Sequence, residues 1–507
     1  MRSRMRASDG HPQGRLLLLR FAPWMNFRNA HPHDLMWPIS MLYARSIAER
    51  AGWQVRLLDL HVEALDRHGI FAEVDGWKPD VVLMDSMTPT LQLAVDVASD
   101  VRASRPETRI WGIGQHASEQ SEDLLFAGSP FDGVLLGEYE VSIKRLLDNG
   151  ATRLVDGSAA LSDDGERVIV QGTRGQVSDL DSLPPLDPRG LRLDAYGMRS
   201  THVPRFGQVR WGYLLTSRGC PFLCTFCSPT LRQSYGRGFR GQSAEKVVDD
   251  MERLHLDHGV DAIYMIDDIF SLDHERVAAI CEEMIRREVE VDWVIQTRPD
   301  MINPEMVALL ARARCRAVKM GVESGVDRIL KLVKKGVRRD RILEAARDIR
   351  AGGLFLTAYY MLGHPTETLE EMEETVRFAH KVAADMIQVA FHTPYPGSQS
   401  YRDYREEVQD LSELNHYETH HVNPSLVDGE TLERFQRQFY LRYYLSGPQL
   451  WSYLRRRALY RATDPIEWQL AIRAMRYLLG QRGQNGATAV AARWFGRKRD
   501  PGIREAA

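Results

Sequence analysis

The chain is expected to fold as an α/β protein. A doubly wound parallel sheet comes first, a partial (β/α)6 barrel follows, and a helical region closes the C-terminal side. Three observations lead there. Short apolar strands alternate with helical stretches from Arg15 to His392, the pattern of parallel sheets covered by helices. Small and hydroxylated residues follow the strands, where such sheets bind ligands. Three of the five cysteines, Cys220, Cys224 and Cys227, stand in one loop as C-x3-C-x2-C.

At 507 residues, 44% hydrophobic and 27% charged, the composition is that of a globular protein with two or three domains. A net charge of −3 offers no global basic field for nucleic acid. No apolar run approaches the roughly 18 residues of a membrane span. Residues 1–14 are polar and read as a disordered tail. The apolar run Leu16–Leu19 is too short for a signal-peptide core, so a cytoplasmic location is expected.

The first domain should cover residues 15–150. Strands are expected at Arg15–Phe21, Gln54–Leu60, Asp80–Asp85, Arg109–Ile113 and Phe131–Leu136. Helices are expected over residues 34–51, with Asp34 near the start and Gly52 past the end, and over 91–104. The strand ends carry Ser86, Thr88, Thr90, Gly112, Gly114, Ser118 and Gly137. Residues 151–212 read as a linker. A small hairpin should turn at Ser162-Asp163-Asp164-Gly165, followed by an irregular Pro-rich strap.

The cysteine loop brings three thiolates to one place. Iron–sulfur clusters usually take four, so three leave one metal position open for chemistry. A zinc site would need a fourth ligand, and His255 and His258 are poorly placed for it, about thirty residues on along a predicted helix. Cys281 and Cys315 read as reduced core cysteines.

The barrel should cover residues 213–405. Its six strands are expected at Tyr213–Thr216, Asp261–Ile266, Val291–Gln296, Ala317–Val322, Leu354–Met361 and Met386–His392. Ser243 and Asn303-Pro304 open helices, and Gly259 ends one. Active residues of β/α barrels gather at the carboxyl ends of strands. Asp267 and Asp268 at one such end can accept from an ammonium group, though Asp268 serves equally as an N-cap. Arg298 at the next can grip a carboxylate, and its plainer role is a surface ion pair. In Gly321-Val322-Glu323-Ser324-Gly325 the carboxylate can accept from two adjacent hydroxyls, and glycine lets backbone approach a ligand.

With Phe226 just before the last cysteine, the C-x3-C-x2-C motif resembles the signature of the radical S-adenosylmethionine (SAM) superfamily. The strand-end pattern of the first domain resembles the cobalamin-binding domain that precedes many radical SAM domains. The resemblance implies three cofactors: a 4Fe–4S cluster held by Cys220, Cys224 and Cys227, SAM on its open iron, and cobalamin. It implies that Asp267 holds the SAM amino group, that Arg298 lies near SAM, and that Glu323 and Ser324 belong to the ribose site. Leu362–Glu367 matches a segment beside the adenine, and Pro394-Tyr395-Pro396-Gly397 is typical of the same branch. Ser86, Thr88, Gly114 and Gly137 match the surroundings of the cobalamin nucleotide tail. The D-x-H-x-x-G motif of many cobalamin domains is missing. His31 and His33 do not form it, and Asp59-Leu60-His61 follows the second strand and lacks the glycine. Cobalt without a protein histidine is the expectation.

The group that the chain resembles contains methyltransferases and the anaerobic porphyrin ring cyclase. Methyl transfer to an unactivated carbon or phosphorus of a small molecule is the favoured function, driven by a 5′-deoxyadenosyl radical. Ring closure or rearrangement is the second. A corrinoid- and cluster-binding carrier without turnover is the third, disfavoured by the SAM-contacting set. A low-potential electron donor of the flavodoxin or ferredoxin type is implied. Methylthiotransferases carry an earlier cysteine trio, and this chain has no cysteine before Cys220. No catalytic residue is singled out. Residues 430–482 read as aromatic, Arg-rich helices that cap the barrel mouth, with contact to a lipid surface as the lesser reading. Residues 497–507 read as a tail.

Overall fold

A computed structural model describes residues 13–21, 34–63, 65–198, 209–227, 238–411, 414–416, 419, 422–447 and 449–451. His31 and His33 lie outside them, as do residues 1–12 of the first expected tail and the whole of the second. The described residues fall into two compact units. One takes those up to 21, with 40–177 and 184–190; the other takes 34–39, 178–183 and 191 onward. In chain order the strands are β1 (Arg15–Arg20), β2 (Asp34–Leu35), β3 (Gln54–Asp59), β4 (Val81–Asp85), β5 (Arg109–Ile113), β6 (Gly133–Leu135), β7 (Ser158–Leu161), β8 (Val168–Gln171), β9 (Gly197–Met198), β10 (Trp211–Leu214), β11 (Ser217–Arg218), β12 (Arg240–Gly241), β13 (Ala262–Met265), β14 (Asp292–Thr297), β15 (Cys315–Glu323), β16 (Phe355–Leu362) and β17 (Met386–Phe391).

The first unit is a seven-stranded sheet in the order β3-β1-β4-β5-β6-β7-β8. Strands β3 to β6 pair in parallel, while β7 and β8 add antiparallel. Leu16–Leu19 and Val81–Met84 are fully buried apolar runs, as strands covered on both faces require. The parallel part is a doubly wound sheet whose order reverses between β1 and β4, so a ligand crevice opens at the ends of those strands. Two expectations are corrected. The hairpin placed in the linker belongs to this sheet and extends it past β6. The first helix runs Ile39–Arg50, not from Asp34, because Pro38 keeps Trp37 out of the helical region. Asp34–Leu35 instead pairs antiparallel with Gly197–Met198 in the second unit.

The second unit holds a six-stranded sheet in the order β10-β13-β14-β15-β16-β17, parallel throughout. Right-handed crossovers put every connecting helix on one face, which leaves the other as the inner wall of a partial barrel. Ser243 caps the helix Ala244–His258, which ends on Gly259 at φ 62. Asn303 caps Pro304–Arg312 with Pro at its start.

The helix Gly429–Tyr444 closes the outer edge of β17. Gln436 Nε2 donates to Val389 O (2.8 Å), Val389 N donates to Tyr440 Oη (2.8 Å), and Ile387 N donates to Tyr444 Oη (2.9 Å). Residues four apart on a helix are separated by about 6 Å, close to the roughly 6.6 Å two-residue repeat of a strand. One helix face therefore follows the unpaired edge and satisfies it. Among the described residues the expected cap over the barrel mouth is an edge closure; residues 452–482 lie outside them. Tyr440→Phe combined with Tyr444→Phe should lower stability by about 1 kcal/mol per lost bond, read as a lower urea midpoint at unchanged iron content.

Candidate functional site

The loop after β11 turns at Gly219, φ 92, and carries the three cysteines. Cys224 is buried, and Cys220 and Cys227 are partly so. The loop is pinned by Thr225 N donating to Val333 O (3.0 Å) and by Ser400 N donating to Thr225 O (3.1 Å). Arg298 reaches it from the end of β14. Its guanidinium lies 3.6 Å over the Phe222 ring, and its Nη1 is 3.6 Å from Cys224 Sγ. Burial pushes the Cys220 thiol up; the Asp268 charge adds to that and Arg298 opposes it. A guanidinium beside a thiol favours the thiolate that binds metal. Among the described residues no three potential ligands already converge on one point, as is usual where metal binding orders its own site. The donor set of three thiols and an adjoining cation fits an iron–sulfur cluster. It does not fit zinc with His255. That residue lies in the last turn of the 15-residue helix Ala244–His258, its Nδ1 taken by Val260 O (2.7 Å), while Gln242, two residues before that helix, is the one bonded to Thr216. Cys281 and Cys315 are buried core residues.

Asp267, expected to hold the SAM amino group, already has its carboxylate engaged by the chain's own donors. It is fully buried, and its carboxylate accepts from Thr216 N (2.7 Å), Thr216 Oγ1 (2.6 Å) and Ser217 Oγ (2.6 Å). Arg276 Nη2 donates to Thr216 O (2.9 Å), and its Nε donates to Gln242 O (2.7 Å). Asp267 is thus a latch that fixes the two residues before the cysteine loop. The charge of the adjacent Asp268 adds to the rise at Cys220.

Glu323 sits at φ 67 after a register shift in β15. Its Oε1 accepts from Lys335 Nζ at 2.8 Å, both side chains being buried. A Cβ at Gly321 would meet Glu323 Oε1 at 2.6 Å and Lys335 Nζ at 2.9 Å, so only glycine lets the pair lie over the strand. The Lys335 carbonyl accepts from Arg298 Nη2 (2.6 Å). Ser324 is fully buried, and its hydroxyl accepts from Val326 N (3.2 Å) and meets Thr375 Oγ1 (3.3 Å). It shapes the turn. Lys335 is missing from the sequence reading because it follows a helix rather than a strand.

Phe226 packs against two histidines, with ring centroids 6.1 Å from His364 and 6.4 Å from His392. The imidazoles meet Nδ1 to Nδ1 at 3.2 Å, and His392 Nε2 contacts Ser400 Oγ at 2.9 Å. Burial, with His392 adding, holds His364 well below the usual histidine range. This pairing had no sequence signal beyond each histidine following a strand. Beside it, Glu367 Oε2 accepts from Gly363 N (2.8 Å) and His364 N (3.1 Å).

In the first unit, Ser86 is fully buried and its hydroxyl has no partner among the described residues. Gly114 stands opposite at φ 94, where a side chain would collide with Asp85. An orphan hydroxyl and a bare glycine at the strand-order reversal fit the tail of a large cofactor. Thr88 is held by His116 Nδ1 at 3.1 Å. A Cβ at Gly137 would meet Gly175 O at 2.5 Å, so this glycine serves a close approach of two backbones. His61 is taken by Phe21 O (3.1 Å), in keeping with its exclusion as a cobalt ligand.

Burial pushes the Glu367 carboxyl up to about 8, against the amides of His364 and Gly363. The folded state therefore keeps a proton that the unfolded chain gives up, and this group costs stability as pH rises from the ordinary glutamate range toward 8. Glu367→Gln should flatten that slope: between about pH 5 and about pH 8.5 the wild type should lose more urea resistance than the variant.

Two family models match the chain: the radical SAM superfamily over residues 214–379 and the B12 binding domain over residues 27–147. An uncharacterised methyltransferase of Pyrococcus horikoshii is 27% identical over 414 residues, covering 80% of this chain and 88% of the relative. The anaerobic magnesium-protoporphyrin IX monomethyl ester cyclase of Cereibacter sphaeroides is 26% identical over 430 residues, covering 80% and 67%. The solved structure of the cobalamin-dependent SAM radical enzyme OxsB, with aqua-cobalamin and SAM bound, aligns with TM-score 0.66 at 17% identity over 96% of this chain and 79% of that one, a likeness of fold. The chain thus carries a B12 binding domain ahead of a radical SAM domain, and the cofactors of that pair are a 4Fe–4S cluster, SAM and cobalamin.

Proposed function

We propose that the protein is a methyltransferase acting on an unactivated carbon or phosphorus centre of a small molecule. The observation that carries this is the connected set in the second unit: Arg298 touches Cys224 and the Lys335 carbonyl, and Lys335 in turn holds Glu323. One buried network thereby joins the cysteine loop to the carboxylate expected at the SAM ribose. The methyltransferase relative, matched over 88% of its length, supports the outcome.

When bound, the cluster supplies the electron that cleaves one SAM to a 5′-deoxyadenosyl radical, and cobalamin relays a methyl group from a second. The chain's own residues bind and orient. Cys220, Cys224 and Cys227 ligate iron. Asp268 takes the SAM amino group in place of Asp267, Arg298 shields the thiolates, and Glu323 accepts from the ribose hydroxyls. Ser86, Thr88 and Gly114 line the corrinoid tail. A small-molecule substrate and a flavodoxin- or ferredoxin-type donor complete the reading. The second reading, oxidative ring closure, is favoured by the similarity to the cyclase over 80% of the chain.

Anaerobic, cluster-reconstituted protein given cobalamin, SAM, a low-potential reductant and source-cell extract should form 5′-deoxyadenosine and S-adenosylhomocysteine together, and neither in Cys224→Ala. Deoxyadenosine alone would overturn methylation in favour of ring closure. Arg298→Lys keeps the charge but loses the planar fork. It should shorten the half-life of the cluster absorbance under chelator by about tenfold, with the fold intact by circular dichroism.

A further inference from the structure

The inner wall of the barrel carries a cation that the assignments above leave unused. β14, β15, β16 and β17 are in register with Gln296 opposite Lys319, Lys319 opposite Thr357, and Thr357 opposite Met386. Register partners share a face. On the outer face, which the helices cover, the neighbouring positions are apolar and buried: Ile295, Val318, Met320, Leu356, Ala358 and Ile387. On the inner face, Lys319 is 1% exposed and Thr357 is 1% exposed. Tyr359, Met361, Gln388 and Ala390 farther along that face are only half-buried.

The Lys319 ammonium stands 3.7 Å over the ring of Tyr264. Tyr264 Oη donates to Gln296 Oε1 (2.8 Å), and Gln296 Nε2 donates to Asp267 O (2.7 Å). The lysine is thus aimed by a chain of contacts anchored in the latch beneath the cysteine loop. Across from it, the Thr357 hydroxyl is buried with no partner among the described residues. Two residues along the same face, about 6.6 Å away, Gly321 underlies the Glu323–Lys335 pair. Lys319 and Thr357 therefore lie deeper on the wall than the groups assigned to SAM, where a substrate would have to sit to meet a radical formed on SAM.

We propose that Lys319 and Thr357 form an oxyanion-binding site for the substrate, so that the substrate carries a carboxylate or a phosphonate or phosphate group, held at the barrel floor. Lys319 supplies the charge and Thr357 a second hydrogen-bond donor. Such charge-assisted bonds are among the stronger contacts a small ligand can make. The site rests on the reading of the second unit as a radical enzyme with a small-molecule substrate, and not on methyl transfer.

Fluorine NMR on full-length protein loaded with cluster, cobalamin and saturating SAM tests it directly. The probes are 4-fluorobenzoate, 4-fluorophenylphosphonate and the neutral 4-fluorobenzamide. At least one anion should bind saturably, and the amide more weakly. Lys319→Gln should weaken that anion by roughly tenfold or more, the loss of a charged hydrogen bond. Lys319→Arg should retain it, and Thr357→Val should weaken it about threefold or more, with SAM affinity unchanged in each. Which anion binds tells carboxylate from phosphonate. The proposal is overturned if no anion binds, if the amide binds as tightly, or if Lys319→Gln binds as the wild type does. If Lys319→Gln fails to fold, unaltered anion binding by Thr357→Val overturns the two-residue site. Anion binding without methylated product would sink methyl transfer and leave this site standing.

Discussion

The guanidinium of Arg298 is the contact on which the second unit's chemistry depends. It stacks on Phe222, approaches Cys224 Sγ, donates to the Lys335 carbonyl and pairs with Asp300 at 3.0 Å. A planar cation with a fixed fork can do all of these at once, and an ammonium cannot. Residues 333–335 complete the arrangement. Val333 O takes Thr225 N, Lys335 O takes Arg298, and Lys335 Nζ takes Glu323. A loop without regular structure is thereby tied to the ends of β14 and β15 by buried polar bonds. Each of those bonds is costly to leave unmade, so the loop and the strand ends hold one geometry together.

Burial sorts the acidic groups of this region into roles. Asp267, fully buried with three donors, is a fastener. Glu323, also buried, faces the Lys335 ammonium over a bare glycine. Glu367, buried against two backbone amides and without a cation in contact, is pushed toward neutrality. A carboxylate near three strand ends gives three different behaviours because desolvation and partner charge differ.

Much of this was legible in the chain. The strand–helix alternation placed all six barrel strands within a few residues, since buried parallel strands are short apolar runs between turn residues. The cysteine spacing and Glu323 after Gly321 stood out as local patterns. Long-range pairing did not. Lys335, Arg276 and Gly175 act through partners 12 to 60 residues away in the chain, and nothing near them in the sequence marks those partners. Lys319 left a faint signal, a lysine within the apolar run Ala317–Val322, whose meaning depends on which face it occupies.

The sequence by itself determined the succession of elements, the thiol donors and the family, because these rest on periodicity and spacing within a few residues. Only the tertiary structure decided which of two adjacent aspartates is a latch, that the 158–171 hairpin completes the first sheet, and that a row of Gln436, Tyr440 and Tyr444 closes the barrel edge. The physical reason is that a side chain's role is set by what surrounds it. Burial, partner charge and unsatisfied backbone groups are properties of packing, and packing joins residues that the chain keeps far apart.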